Sequence, residues 1–155
     1  MSNLEHAIAI AATVHEGQAD EAGAPYILHP LRLMMRMTCE TSRITAVLHD
    51  AIEDSRKHPP ERRWTFDRLR ESGFSEDVLR ALDGVTDRKE QGESYEEFVQ
   101  RAGSNPISRA VKIADLEDNM NLLRLGNIRP KDLERLAKYH RSWLTLTALN
   151  SGLGD

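Results

Sequence analysis

The chain has 155 residues, 39% hydrophobic and 30% charged, with a net charge of −4 and a pI near 5.9. That length gives one good core and is short for two, and the apolar fraction excludes a disordered segment. The acidic balance argues against a general nucleic-acid binder, which needs a basic face, and leaves room for a local basic pocket that takes an anionic small molecule.

Apolar spacing is helical almost throughout. Leu4, Ala7, Ile8, Ala11, Ala12 and Val14 form a stripe that predicts a first helix ending by Gly17. "GQADEAGAPYILHP" reads as a loop, and Pro30 suits the first turn of a second helix through "LRLMMRMTC". A third helix is predicted from about Ser42 to Asp54, followed by the basic, proline-containing loop "SRKHPPERRW". Thr65 and Ser75 are predicted N-caps for "FDRLRES" and "EDVLRALDGV", and "SYEE" at 94–97 has capping-box spacing for a helix to about Ala102. Pro106 opens a long helix through "ISRAVKIADLEDNMNLLRL", and Pro130 opens the last, through "KDLERLAKYHRSWLTLTALN". No alternating strand pattern of useful length appears. The predicted fold is all-α, a single domain over residues 1–155 built as a bundle of seven or eight helices.

The single cysteine, Cys39, has no internal partner, which fits a reducing cytoplasm, and it reads as a small core hydrophobe on a helix. The N-terminal "LEHAIAIAATVHEG" lacks the basic start of a signal peptide, and no apolar run approaches the ~20 residues of a membrane span. The expectation is a soluble cytoplasmic protein without a membrane or nucleic-acid partner.

Chemistry concentrates in "LHDAIEDS" (residues 48–55). On a continuous helix His49, Asp50, Glu53 and Asp54 are i, i+1, i+4 and i+5 and share a face. Three carboxylates on one face repel unless water screens them or a cation neutralises them, and spacing alone leaves both readings open. Two further groups favour the cation. His29 precedes Pro30 in "PYILHP", and Asp115 lies in the apolar run "AVKIADLEDN", where an unpaired carboxylate is costly to bury. A divalent ion held by two imidazoles and two carboxylates relieves Asp50 and Asp115 together.

These stretches also carry a resemblance. "AIAATVHEGQ…GAPYILHP", "AVLHDAIED", "GVTD", "ESYEEFVQRA" and "AVKIADLEDNMN" together resemble the HD-superfamily hydrolase domain of RelA/SpoT-type proteins, most of all the stand-alone small alarmone hydrolases, over about residues 4–148. The resemblance implies that His29, His49, Asp50 and Asp115 are metal ligands, that Glu53 and Asp54 are the acidic pair beside the reacting water, and that Asn119 and Tyr139 contact the nucleotide. It implies Mn²⁺, although the mixed nitrogen–oxygen set also suits Fe²⁺, Co²⁺ or Zn²⁺. The implied reaction removes the 3′-pyrophosphate of guanosine tetra- or pentaphosphate, the alarmone of the stringent response. Such an ion lowers the pKa of water and offsets charge at phosphorus, and Glu53 is placed to orient the water or take its proton.

Other residues read more plainly. His6 and His15 lie on the first helix as structural groups, with His15 able to face the site; His58 reads as loop and His140 as solvent-facing. Trp64 and Trp143 read as core. Lys112, and after it Arg124, are the candidate phosphate contacts.

The sequence departs from the family pattern in "GQADEAG". Ala19, Asp20 and Glu21 stand where alarmone hydrolases carry Arg and Lys, and Leu116 stands where the long bifunctional proteins often carry a basic residue. Acidic groups beside a polyphosphate weaken its binding. That keeps a second substrate class in view, an adenosine alarmone or the 2′-phosphate of NADPH, with a non-catalytic metal-bound regulatory module as a third reading. The pair Glu53 and Asp54 speaks against the third. Only "NSGLGD" follows the hydrolase-like region, so a synthetase domain is not expected.

Overall fold

The computed structural model describes residues 3–151. Helix α1 (Leu4–Val14) starts where the Asn3 side chain accepts the His6 N–H at 3.1 Å, and it buries Ala7, Ile10, Ala11 and Val14 at i, i+3, i+4 and i+7. Helix α2 (Leu28–Met35) begins before Pro30, which the first turn tolerates, and it ends earlier than the sequence pattern suggests. The cause lies at Cys39. Its backbone is extended (φ −128°, ψ 161°) and it caps α3 (Glu40–Leu48), so it is an exposed N-cap and not the core hydrophobe expected.

The predicted third helix is two helices. α3 stops at Leu48 and α4 (Ala51–Ser55) restarts after His49 and Asp50, with Asp50 at φ −102°, ψ −2°. Next come α5 (Phe66–Glu71), α6 (Glu76–Val85) and α7 (Tyr95–Gly103), capped by Thr65, Ser75 and the Ser94–Glu97 box as their sequences imply. α8 (Pro106–Asn119) is capped by Asn105, whose side chain accepts from Ile107 and Ser108 N–H. It is shorter than predicted because Asn121 accepts the Leu123 N–H and turns the chain into a single 3-10 turn over Leu122–Arg124. α9 (Pro130–Ser151) closes the chain. Among the described residues there is no strand, only one antiparallel bridge between Ala19 and Pro25, so the fold is all-α as expected.

Helix α3 is the centre, packing on α1, α2, α6 and α8 with Ala46, Val47 and Leu48 fully buried. α6 and α8 approach very closely: a Cβ at Gly84 would lie 2.3 Å from Ser108 Oγ, which donates to the Ala81 carbonyl at 2.6 Å. This contact sets the placement of α8, and hence of Asp115, against α3. A smaller cluster of Val99, Leu116 and Leu146 joins α7, α8 and α9.

Candidate metal centre and nucleotide cleft

The break between α3 and α4 builds the site. In an uninterrupted helix adjacent side chains point about 100° apart. Here His49 turns its Nδ1–H onto the Ala46 carbonyl (2.8 Å), and the irregular Asp50 swings round until its Oδ2 lies 3.0 Å from His49 Nε2. Tyr26, from the loop before α2, donates its hydroxyl to the same Asp50 oxygen. The shared-face argument of the sequence therefore reaches the right neighbours by a geometry it did not foresee.

His29 and Asp115 complete the cluster from α2 and α8. His29 Nε2 is 3.0 Å from Asp115 Oδ1, and His49 Nε2 is 3.6 Å from that oxygen. The ligand atoms of His29, His49 and Asp115 all lie within 4.8 Å of one another, and Asp50 stands at their edge beside His49. Behind them, Asp118 accepts His29 Nδ1–H at 2.6 Å and is itself gripped by Arg32 through two hydrogen bonds (2.8 and 2.9 Å). Lys112, buried on α8, donates to Asp115 Oδ2 at 2.9 Å, and Asn119 donates to Asp115 Oδ1 at 2.8 Å.

These residues fit a divalent cation on their own chemistry. His49 Nε2 is buried without a directed hydrogen bond although two carboxylates lie close by, and its other nitrogen is already fixed as a donor. That leaves a lone pair aimed at the cluster, with His29 oriented the same way by Asp118. The short separations bring donors from both imidazoles and from Asp50 and Asp115 together, so these residues would hold such an ion between them. Burial pushes both imidazoles toward lower pKa, yet the carboxylates override it: Asp115 and Asp118 raise His29, while Asp50 and Asp115 raise His49 well above an ordinary histidine. Burial raises the Asp115 carboxyl, but Lys112, His29 and His49 hold it well below the usual carboxylate range. The site therefore demands positive charge at its centre.

Glu53 and Asp54 lie on α4 just beyond. Glu53 Oε1 accepts the Asp87 backbone N–H at 2.5 Å; burial and the nearby Asp50 charge push its carboxyl up to about 7. Asp54 Oδ2 accepts from Gln18 Nε2 (3.0 Å), and Gln18 Oε1 is 3.0 Å from His15 Nδ1, so the buried His15, which caps the end of α1, supports Asp54 through Gln18 and at 3.5 Å directly. His15 thus faces the site, as the alternative reading allowed.

A cleft of about 410 Å³ opens beside the cluster, walled by Gln18–Ala22, Tyr26, His29, Arg32, Asn119, Arg124, Arg129, Arg135 and Tyr139. Asn119 and Tyr139 both belong to this wall. Lys112, the first candidate phosphate contact, is not in this wall: its ammonium donates to Asp115 and lies over the Phe98 ring. Arg124 does line the cleft, but α8 ends before it and the chain folds it back onto Asp118. His140 is exposed, stacked on the half-buried Trp143, and Trp64 lies under Arg68.

The loop "QADEAG" differs from its simple electrostatic reading. Asp20 Oδ1 accepts the N–H groups of Ala22 and Ala24, both at 2.9 Å, and so shapes its own turn. Glu21 reaches across to Arg135 (3.0 Å), Arg129 (3.2 Å) and Lys131 (3.7 Å). Sequence reasoning missed Asp118, Tyr26, Gln18, Arg129 and Arg135. Asp118 had a readable signal, being i+3 from Asp115 on the same helix.

Fold and site together define an all-helical domain with a buried His–Asp centre under a basic cleft. The chain is similar in sequence to (p)ppGpp hydrolases of the SpoT type: it is 30% identical over 152 residues to the bifunctional (p)ppGpp synthase/hydrolase SpoT of Escherichia coli K12, with 89% of this chain and 20% of that protein aligned. It is 32% identical over 149 residues to guanosine-3′,5′-bis(diphosphate) 3′-pyrophosphohydrolase of Vibrio cholerae (87% and 20%), and 29% identical over 146 residues to the enzyme of that name in Aquifex aeolicus (87% and 19%). The chain thus spans about a fifth of the length of these curated relatives. Its fold matches a solved structure described as a metazoan ortholog of SpoT that hydrolyses ppGpp, with a TM-score of 0.64 at 20% identity over 97% of this chain and 95% of that one. No protein-family model matches the chain.

Proposed function

We propose that this chain is a metal-dependent phosphohydrolase that removes the 3′-pyrophosphate from guanosine 3′,5′-bis(diphosphate)-type alarmones. The observation that carries the reading is the buried, undirected Nε2 of His49 facing two carboxylates and His29, beside an arginine-lined cleft that His29 itself lines. His29, His49, Asp50 and Asp115 would hold the ion, with Mn²⁺ the first candidate. When bound, a divalent ion supplies Lewis acidity toward a phosphoryl oxygen and makes water a better nucleophile.

The remaining roles fall to the protein. Water adds across the 3′ phosphoester, giving pyrophosphate and a 3′-hydroxyl. Glu53, with a carboxyl pushed up to about 7, is matched to accept the water's proton and return it toward the leaving oxygen near neutral pH. The Asp87 N–H fixes that carboxylate, and the His15–Gln18 pair fixes Asp54 beside it. Asn119 and Tyr139 lie on the wall where ribose and phosphate groups would be received. Lys112 acts as a positioning residue that keeps Asp115 charged and aimed. A nucleotide substrate and an unpaired cysteine suit the cytoplasm. Among the described residues no helix is long and apolar enough to cross a membrane.

A second reading keeps this machinery and changes the nucleotide, to an adenosine alarmone or the 2′-phosphate of NADPH. Its support is the cleft's loop, which contributes Asp20 and Glu21 and no cation. Purified protein with Mn²⁺ is offered guanosine and adenosine 3′-pyrophosphates and NADPH, and pyrophosphate and phosphate are measured separately. The proposal expects pyrophosphate from the guanosine substrate at the highest kcat/KM; phosphate released from NADPH alone would overturn it.

A further inference from the structure

The cleft has two ends with different uses of charge. At the inner end Arg32 and Arg124 are both turned onto Asp118, the carboxylate that orients His29. At the outer end Arg129, just before α9, and Arg135, in its second turn, are bound from behind by the buried Asp132: Arg135 Nη2 donates to its Oδ1 at 2.9 Å and the Arg129 backbone N–H to its Oδ2 at 2.9 Å. Their cleft side faces Glu21, whose two oxygens divide between Arg135 Nη1 (3.0 Å) and Arg129 Nη2 (3.2 Å). A carboxylate held by a pair of guanidinium groups, one on each oxygen, is the arrangement in which arginines receive a phosphate.

We infer that Glu21 is a displaceable stand-in for the substrate's distal phosphates: Arg129 and Arg135 form the subsite for the anionic group farthest from the metal centre, and the nucleotide enters by replacing the Glu21 carboxylate there. This rests on the proposed hydrolysis and adds the element that sets substrate charge. Arg135, with Arg129 and Lys131, depresses the Glu21 carboxyl, so it stays anionic and competes at any working pH. The competition is a mild one. Glu21, Arg129 and Arg135 are half to one-third exposed, and ion pairs that water reaches in this way are weak. A multiply charged phosphate outcompetes such a tie, whereas a neutral or singly charged group gains little from doing so. An acidic loop and a polyanionic substrate are thereby compatible.

The probe is guanosine 5′-diphosphate, compared with guanosine, titrated calorimetrically into the Mn²⁺-loaded full chain. Glu21→Gln should tighten the diphosphate about three- to tenfold, leave guanosine unchanged, and lose most of the gain in high salt. Adding Arg135→Gln should abolish the gain. An unchanged diphosphate affinity in Glu21→Gln, or an equal gain for guanosine, overturns the inference. Pyrophosphate release by the same proteins separates the two levels. Tightening without release of pyrophosphate from guanosine 3′,5′-bis(diphosphate) would sink the hydrolase reading and leave the subsite standing, while release without tightening would do the reverse.

Discussion

The metal centre and the cleft mouth are both rich in charge, yet they are built on opposite principles. At the centre His29, His49 and Asp115 are nearly inaccessible, and each has a second partner that fixes its orientation: Asp118, the Ala46 carbonyl and Lys112. At the mouth Glu21, Lys131 and Arg129 are about half exposed, and the ties run among them, Arg135 and Asp132. Buried pairs are expensive to break because the partner left behind has no water. Exposed pairs are inexpensive to exchange. The contrast teaches that the buried cluster is held rigid while the charges at the mouth are left adjustable.

The centre breaks most sharply at Asp115. Asp115→Ala removes a ligand and strands the buried Lys112 ammonium, so metal binding and activity should both be lost. The metal-free protein should melt lower by on the order of 10 °C, read by calorimetry. Glu53→Gln tests chemistry apart from binding: the metal should stay bound and kcat should fall by ~10²-fold or more. It also carries a pH signature. Because the Glu53 carboxyl is pushed from 4.5 to about 7, its ionised form destabilises the metal-free fold above pH 7 and has no such effect below 4.5. In chelator, Glu53→Gln should therefore raise Tm at pH 8 and leave it unchanged at pH 4. Asp118→Asn, which alters the carboxylate that orients His29 from behind and holds Arg32 and Arg124, should weaken Mn²⁺ about tenfold.

The mouth should respond more gently. Substituting Ala19→Arg alone should lower KM for guanosine 3′,5′-bis(diphosphate) a few-fold, about one added phosphate contact, with kcat little changed. Adding Asp20→Lys should cancel that gain, because the lysine cannot accept the Ala22 and Ala24 N–H groups that shape the loop. A double variant that improves on the single would show that the Asp20 turn is dispensable.

Much of this was readable in the sequence, and the reason is specific. Caps at Thr65, Ser75 and Ser94 and the prolines at 106 and 130 act through neighbours a few residues away, so helix starts were legible. The α3–α4 break was not, because it is imposed by tertiary partners: Tyr26 on Asp50 and the packing of His49 against α2 and α8. "LHDAIEDS" is apolar enough in period to pass for one helix. His29 and Asp115 stood out because a histidine or carboxylate in an apolar run asks for a partner. The outer arginines did not stand out. Arg129 and Arg135 lie more than a hundred residues from Glu21, and only the folded chain brings α9 against the loop.

The central claim is that His29, His49, Asp50 and Asp115 form one metal centre. Titration of Mn²⁺ into chelator-stripped protein, followed by the disappearance of the free-ion paramagnetic resonance signal, tests it most directly. The account predicts one tightly bound Mn²⁺ per chain and loss of that site in His49→Ala. Saturable binding of one Mn²⁺ by His49→Ala with wild-type affinity would contradict it.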